Sequence, residues 1–121
     1  MRRPHKRATG QRRSNCPVAC TLDFAGDRWT LLIIRDLNLG KTRFEEFLAS
    51  EERIATNILS SRLKALEDLG FIVKEDDDLD RRRVRYSLTK NGKTLGKLVR
   101  AVAEWGLKNL PQTKVAPGIQ K

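Results

Sequence analysis

Residues 57–69, NILSSRLKALEDL, combine a helical apolar pattern with an outer face of short polar side chains. Leu59, Leu63 and Leu66 recur at helical spacing, which predicts a helix over about residues 55–69 with these three leucines buried. The face roughly 100–200° away from the leucines carries Asn57, Ser60, Ser61 and Lys64, with Thr56 at its N-terminal edge.

These residue types are suited to contacting DNA bases in a major groove. Asn can pair bidentately with adenine, Ser can bond to a base or a phosphate, and Lys can bond to guanine or a phosphate. Because the side chains are short, the helix can come close to the base edges. Arg62 lies nearer the buried edge, and we expect it to bind a phosphate. An ordinary solvated helix face has a similar composition, so the surrounding elements must decide between the two.

The elements before this helix are predicted to be helical. Residues 17–25 form a short helix with Pro17 in its first turn. A second helix over residues 28–39 is apolar on most sides, so it should form the centre of the core, and Asp27 is its predicted N-cap. Thr42 is the predicted cap of a short third helix that turns Phe44, Phe47 and Leu48 inward.

After residue 70 the apolar period changes from that of a helix to that of a strand. FIVKE and RVRYSL predict a β-hairpin, because Val84, Tyr86 and Leu88 alternate with polar residues. Thr89 is the predicted cap of a last helix over residues 90–110. This order predicts a mainly α fold with a β-hairpin wing, the winged helix-turn-helix, in which the helix over residues 55–69 enters the major groove.

The charge of the chain favours nucleic acid as the partner. It holds 25 Lys+Arg against 15 Asp+Glu, a net charge of +10, and its pI of about 10.2 exceeds the value of about 9 that indicates nucleic-acid-binding domains. Residues 1–14 contribute +6 without any acid, which predicts a disordered basic arm. This arm is either a solubilising tail or a segment that follows DNA phosphates or a minor groove. The domain is expected over residues 15–110, and a flexible tail over residues 111–121.

The composition and motifs of the chain argue against several classes of function. There is no apolar run of the roughly 18 residues that a membrane span needs, and no apolar secretory segment. We therefore expect a cytoplasmic, nucleoid-associated protein that binds no membrane. The sequence has no Gly-rich phosphate loop, HExxH or GxSxG motif, and its one His is in the basic arm, so we expect neither an enzyme nor a cofactor.

Two other basic segments are predicted to contact the DNA backbone. Lys41, Thr42 and Arg43 precede the short third helix, and helix N-termini favour anions. In the wing, an acidic run over residues 75–80 is followed by Arg81, Arg82, Arg83 and Arg85. The acids lack the spacing of a calcium loop, so no metal is expected there. We expect them to pair with arginines or point outward, while one or two of the arginines contact phosphate.

The chain is predicted to form a homodimer through its first and last helices. The residues expected at this interface share an apolar character and helical spacing, and they are Phe24, Leu95, Leu98, Val99, Val102 and Trp105. The stripe on the last helix could instead close the core of its own subunit. We favour the partner chain, because a helix after the wing has little left to pack on.

Together these residues resemble the HxlR-type family of winged-helix transcription regulators. The matching segments are CPV at 16–18, GDRWTLLIIRDL at 26–37, RFEEF at 43–47, LSSRLKALEDLGFI at 59–72, RVRYSLT at 83–89 and AEWG at 103–106. The resemblance implies a homodimer that binds double-stranded DNA and regulates neighbouring genes. The wing tip, EDDDLDRRRVRY, departs from the Pro-containing tip of that family and looks more like the wing of the MarR family.

The resemblance also bears on the two cysteines. Cys16 matches the N-terminal cysteine that some members use to sense oxidants or electrophiles, and Cys20 lies one helical turn further on. The preceding arginines would favour the reactive thiolate. Both cysteines could equally be small core or interface residues without chemistry. Two other functions stay open for the whole chain: a winged-helix module that binds RNA or a protein, and a non-specific nucleic-acid packer.

Overall fold

The computed structural model describes residues 14–76 and 83–114 of the chain. Its elements in chain order are α1 (Pro17–Ala25), α2 (Thr30–Asn38), α3 (Phe44–Leu48), α4 (Thr56–Asp68), β1 (Ile72–Asp76), β2 (Val84–Leu88), α5 (Lys90–Lys93) and α6 (Leu95–Asn109). This is the predicted winged helix-turn-helix, with α3 and α4 as the helix pair and β1–β2 as the wing. The basic arm, apart from Ser14, and the wing tip at residues 77–82 lie outside the described residues, as do residues 115–121.

The core forms around α2, as its apolar sequence predicts. Ile33 and Ile34 are buried and pack in one cluster with the leucines of α4 and with Ile72 and Tyr86 of the wing. α6 packs across α2, with Gly96 next to the exposed Asn38 side chain. No helix in the described part of the chain is long and apolar enough to cross a membrane.

α2 begins two residues later than predicted, at Thr30 rather than Arg28, so its N-cap position is held by Trp29 and the prediction of Asp27 was wrong. Asp27 nevertheless satisfies backbone groups at this end of the helix: its carboxylate accepts hydrogen bonds from the N–H groups of Trp29, at 2.9 Å, and Thr30, at 3.0 Å. The side-chain acceptor thus satisfies two N–H groups that a helix start leaves without an internal partner.

The predicted cap of α3 was wrong by one residue, since the N-cap position is held by Arg43 and not by Thr42. The reason lies in Glu46, whose carboxylate accepts hydrogen bonds from the backbone N–H groups of Thr42, at 2.8 Å, and Arg43, at 2.9 Å. A glutamate in the first turn that reaches back in this way does the capping itself.

The wing is an antiparallel pair in which Ile72 faces Leu88 and Glu75 faces Arg85. The predicted alternation is confirmed, because Tyr86 is buried while the neighbouring Arg85 and Ser87 are exposed. The Tyr86 N–H also donates to the Thr42 carbonyl at 2.7 Å, which joins the wing to the loop before α3.

The last helical segment is divided into α5 and α6 rather than continuous. Thr89 caps α5 as predicted, since its hydroxyl accepts a hydrogen bond from the Gly92 N–H at 2.9 Å. The Thr94 hydroxyl donates to the Asn91 carbonyl at 2.6 Å and its N–H bonds to the same oxygen, which tightens the turn between the two helices. Gly92 is required for this packing, because a Cβ there would lie 1.9 Å from the Phe71 carbonyl oxygen.

Candidate nucleic-acid interface

α4 has one buried face and one open polar face. Leu59, Leu63 and Leu66 are 0%, 2% and 1% exposed, as predicted, and they anchor the helix to α2 and the wing. The polar side chains on the other side are all exposed, and they are Thr56, Asn57, Ser60, Ser61 and Lys64. We call these five residues the reading face. Their accessibility fits a groove contact, and the DNA-binding role assigned to them stays a prediction.

Arg62 forms an ion pair that the sequence did not predict. Its Nε donates to the Asp27 carboxylate at 2.8 Å, forming an ion pair between α4 and the loop before α2. Burial raises the pKa of Asp27, but hydrogen bonds from Thr30 and Arg62 outweigh it and bring the pKa below its ordinary value. The sequence analysis missed this ion pair because the two partners lie 35 residues apart in the sequence, and the phosphate contact of Arg62 stays a prediction.

Lys64 is the one cation of the reading face, and its ammonium forms an ion pair with Asp68 one turn further along α4, at 3.1 Å. Both side chains are largely exposed, so the pair is worth about 0.3–0.5 kcal/mol or less. A phosphate could therefore replace Asp68 as the partner of Lys64 at little cost.

The turn that leads into α4 is held by a set of charged and polar side chains that the sequence analysis missed. We call this set the turn network, and its members are Arg35, Asp36, Lys41, Ser50 and Glu52. The Arg35 guanidinium donates to both carboxylate oxygens of Glu52, at 2.8 and 3.2 Å, and to the buried Asp36 carboxylate at 2.9 Å. Polar residues within the apolar run of α2 were the signal that could have revealed it.

The pKa values in the turn network reflect these bonds. Hydrogen bonds from Arg35 and then from the Ser50 hydroxyl lower the pKa of Glu52 to about 2. The same bond to Glu52, with those to Asp36, raises the pKa of Arg35 above its ordinary value despite burial. Both groups are thus charged at neutral pH, and the network ties α2 to the turn that sets the start of α4.

The structure weakens one argument for a phosphate contact at Lys41, Thr42 and Arg43, namely the free N–H groups at the start of α3. The backbone N–H groups of Thr42 and Arg43 bind the Glu46 carboxylate, so the helix terminus already holds an anion. These two hydrogen bonds also lower the pKa of Glu46. Lys41 lies 3.7 Å from the Asp36 carboxylate. Only the side chains of this segment remain as candidates for contact with DNA.

Of the four wing arginines predicted to contact the DNA backbone, two lie within the described residues. Arg83 forms an ion pair with Glu45 of α3, so it does pair with an acid, although not with one of the wing acids. Arg85 is exposed on β2 opposite Glu75. Arg81 and Arg82 belong to the tip, outside the described residues. Within residues 14–76 and 83–114 no cluster of His, Cys, Asp or Glu has the arrangement of a metal site.

The predicted dimer stripe is divided between two environments. Leu95 and Val99 are only 7% and 9% exposed and belong to the core of their own subunit, so their assignment to an interface was wrong. Leu98 is partly buried against the same core. α6 had more to pack on than predicted, because α2 offers it a surface.

Phe24 is also turned inward, with its ring 5.2 Å from that of Phe71. Val102 and Trp105, in contrast, are 54% and 62% exposed. On α1, Val18 and Leu22 are exposed as well. We call Val18, Leu22, Val102 and Trp105 the open apolar set.

The two cysteines are both free thiols. Cys16 is exposed at the N-cap of α1, and Cys20 is partly buried one turn later, with its thiol donating to the Ser14 carbonyl at 3.2 Å. The expected closeness along one helix is confirmed. Their reactivity stays a prediction.

Comparison with known proteins bears on the family. The model of the HxlR-like helix-turn-helix family matches residues 24–114. This chain belongs to the HxlR-like helix-turn-helix family. The uncharacterized HTH-type transcriptional regulator YdeP of Bacillus subtilis (strain 168) is 37% identical over 93 residues, which cover 77% of this chain and 73% of YdeP.

Solved structures support the same assignment. The crystal structure of PA1607, described as a transcription factor, matches with a TM-score of 0.76 and 37% identity, covering 86% of this HxlR-like chain and 73% of that one. The redox regulator HypR in its oxidized form matches with a TM-score of 0.70 and 35% identity, over 83% of this chain and all of HypR. The HxlR-like chain is thus a winged helix-turn-helix protein of a transcription-regulator family, and not a member of an enzyme family.

Proposed function

We propose that the protein is a sequence-specific regulator of transcription that binds double-stranded DNA through α4. The observation that carries this is the exposure of all five residues of the reading face on a helix whose three leucines are buried. The N-terminal residues of a recognition helix contact base edges, and Thr56, Asn57, Ser60 and Ser61 occupy the first half of α4. Phosphate contacts are assigned to the side chains of Lys41, Arg43 and Arg85, and the basic arm adds positive charge.

We infer that the regulator acts as a homodimer. The open apolar set lies on α1 and α6, the two helices assigned to the interface, and large exposed apolar side chains are typical of surfaces that a partner covers. A twofold axis would place the two α4 helices in successive major grooves, about 34–36 Å apart, on an inverted-repeat site. Such a dimer works with the DNA of the cytoplasm, in association with the nucleoid.

Selection and one substitution test the proposal. The wild-type protein selects duplexes from a random-sequence library, and its affinity for the selected duplex is compared with that for random DNA. We expect a ratio of about 10³ or more at physiological salt. Ser61→Glu places a long carboxylate on the reading face and should abolish this preference while the circular dichroism and the dimer stay unchanged. Asn91→Glu on α5, which makes the same charge change at an exposed position, serves as the control and should retain the preference.

Three results would contradict the proposal. Equal affinity of the wild type for selected and random duplexes would indicate a non-specific nucleic-acid packer. Full specific binding by Ser61→Glu would show that residues outside the reading face contact the bases. A wild type that selects no duplex from the library would instead indicate a module that binds RNA or protein.

We also propose that Cys16 makes the regulator responsive to oxidants or electrophiles. The exposed thiol at the start of α1 supports this, as does the similarity to HypR, which is described as a redox regulator. Oxidation at Cys16 would shift the dimer and hence the spacing of the two α4 helices. Affinity for the selected duplex is measured before and after diamide treatment in the wild type and in Cys16→Ser. A loss confined to the wild type is expected, and an equal loss in both proteins would contradict the role of Cys16.

A further inference from the structure

We propose that Arg62 is a positioning residue for DNA reading: its ion pair with Asp27 sets the orientation of α4, and its guanidinium makes no phosphate contact. The inference rests on the proposed function, because it concerns how the reading face is aimed. It assigns to Arg62 a role that differs from the phosphate contacts proposed for Lys41, Arg43 and Arg85.

The geometry of Asp27 is the first support. One carboxylate oxygen accepts hydrogen bonds from the Trp29 N–H at 2.9 Å, the Thr30 N–H at 3.0 Å and the Arg62 Nε at 2.8 Å, and the other accepts from the Thr30 hydroxyl at 2.5 Å. The bonds to Trp29 and Thr30 therefore fix the carboxylate at the start of α2 independently of Arg62. A fixed acceptor determines where the guanidinium, and with it one side of α4, must lie.

The position of the pair in the chain is the second support. Asp27 lies in the short segment between Gly26, the C-cap of α1, and α2. Arg62 lies in the middle of α4, one residue after Ser61 of the reading face, and its Nη1 donates to the Ser61 hydroxyl at 3.2 Å. One guanidinium thus connects the junction of α1 and α2 to a side chain predicted to contact a base.

The packing of α4 explains why such a connection is needed. Leu59, Leu63 and Leu66 hold the helix against the core, but apolar contacts are non-directional and allow small rotations about the helix axis. A hydrogen-bonded ion pair at the edge of the buried stripe is directional, so it fixes that rotation. A misplacement of about 1 Å is enough to lose much of the benefit of a precisely arranged site.

The environment of the pair argues against the simpler role of Arg62 as a phosphate contact. Its side chain is 31% exposed and that of Asp27 is 25% exposed. Turning to a phosphate would leave the Asp27 charge partly buried without its cation, which is costly. Lys64 differs, because its partner Asp68 is half exposed and can be released to water.

The test uses the full chain and the duplex selected by the wild type. Arg62→Met keeps the apolar stem and removes the guanidinium. Asp27→Asn keeps one acceptor oxygen for the two N–H groups at the start of α2 and removes the charge. For each variant, binding to selected and random duplexes is measured over a range of salt concentrations, on protein verified as folded by circular dichroism and urea unfolding. The double variant completes the cycle.

Positioning predicts a lower specificity at an unchanged salt slope. Arg62→Met should lower the ratio of specific to non-specific affinity about tenfold or more, and Asp27→Asn should lower it in the same direction. The double variant should lose no more than Arg62→Met, because both changes break one interaction. The log–log salt slope should stay within the error of the wild-type slope, since no phosphate contact is lost.

Three outcomes would overturn the inference. A phosphate contact by Arg62 predicts a slope that falls by about 0.9 in Arg62→Met, together with stronger binding by Asp27→Asn, in which the guanidinium is released. A purely structural role predicts that the variants unfold at lower urea concentration while the specificity ratio of the folded protein is unchanged. If Arg62→Met does not fold, the same comparison is made with Asp27→Asn. A wild type without any specificity would remove the proposed function as well, and is recognised before any variant is measured.

Discussion

The outer faces of α4 and α6 differ although both helices bury apolar residues against the same core. α4 presents short polar side chains and the Lys64–Asp68 ion pair on its outer face. α6 presents Val102 and Trp105 in its second half. The inner faces are alike, with Leu59 and Leu63 on one helix and Leu95 and Val99 on the other contributing to one cluster.

The difference indicates two kinds of partner. The polar groups on α4 can hydrogen-bond to water, so their exposure costs little free energy. In this position they are accessible to a polar groove. When a protein surface covers the exposed Trp105 and Val102, the complex is stabilised by about 25 cal/mol per Å² of apolar surface buried. We therefore expect that a substitution on α6 affects association of the chains, and that one on α4 affects affinity for DNA without changing association.

The largest effect is expected from Trp105→Glu. A charge at the centre of the proposed interface would have to be buried, so the dissociation constant of the dimer should rise by about 10²–10³-fold, in line with the loss of an aromatic anchor. Sedimentation equilibrium measures it. Affinity for the selected duplex should fall as well, because two half-sites are no longer bound together.

Arg100→Ala is the matched control for this change. It alters the net charge by the same amount at an exposed position of α6 that lies on another side of the helix. The dimer should keep its wild-type dissociation constant. An undiminished dimer in Trp105→Glu would show that another surface joins the chains, or that the protein acts as a monomer.

A smaller effect is expected from Glu52→Gln, which weakens the turn network before α4. The pKa of Glu52 is lowered to about 2 in the folded chain from an ordinary value of 4.5, so its charged form contributes stability above pH 4.5 that is lost as the pH falls towards 2. After allowance for the partial exposure of the side chain, we expect a loss of about 1–2 kcal/mol at pH 7. Urea unfolding from pH 7 down to pH 2.5 should show the difference from wild type shrinking below pH 4.5.

Glu51→Gln removes the exposed neighbouring carboxylate and is the control. Its effect at pH 7 should be below about 0.5 kcal/mol. A Glu52→Gln difference that stays constant from pH 7 to pH 2.5 would contradict the role of the ionised Glu52 in holding the turn.

The smallest effect is expected from Lys64→Met on the reading face. Lys64 lies in the second half of α4, beyond the residues expected to contact bases, so we assign it to a phosphate. Its loss should weaken binding to all duplexes about equally and lower the log–log salt slope by about 0.9. Lys97→Met on α6 should leave the slope unchanged, and a slope that is also unchanged in Lys64→Met would exclude the phosphate contact.

The sequence predicted what depends on local spacing. The leucines of α4, the alternation of β2 and the Thr89 cap all follow from patterns within a few residues, and the structure confirms each of them. The open reading face was predictable for the same reason, since a helix with one apolar stripe must expose the side opposite to it.

The errors concern partners that are distant in the sequence. The ion pair between Arg62 and Asp27 was missed, because it is visible only when α2 and α4 are packed together. Leu95 and Val99 share the period of Val102 and Trp105, and no spacing rule reveals that the first two are buried while the last two are exposed. The Glu46 side chain displaced the expected Thr42 cap through bonds that a residue type alone does not determine.

The hydrogen bond between the Tyr86 N–H and the Thr42 carbonyl mechanically links the hairpin to the helix pair. Because Tyr86 is buried and its ring also meets that of Phe47 of α3, the base of the hairpin cannot swing like a free flap. The hairpin and α3 should therefore approach a duplex as one rigid unit. Lengthening the loop at residues 40–43 would change the angle of this unit to the groove without altering any residue expected to contact a base.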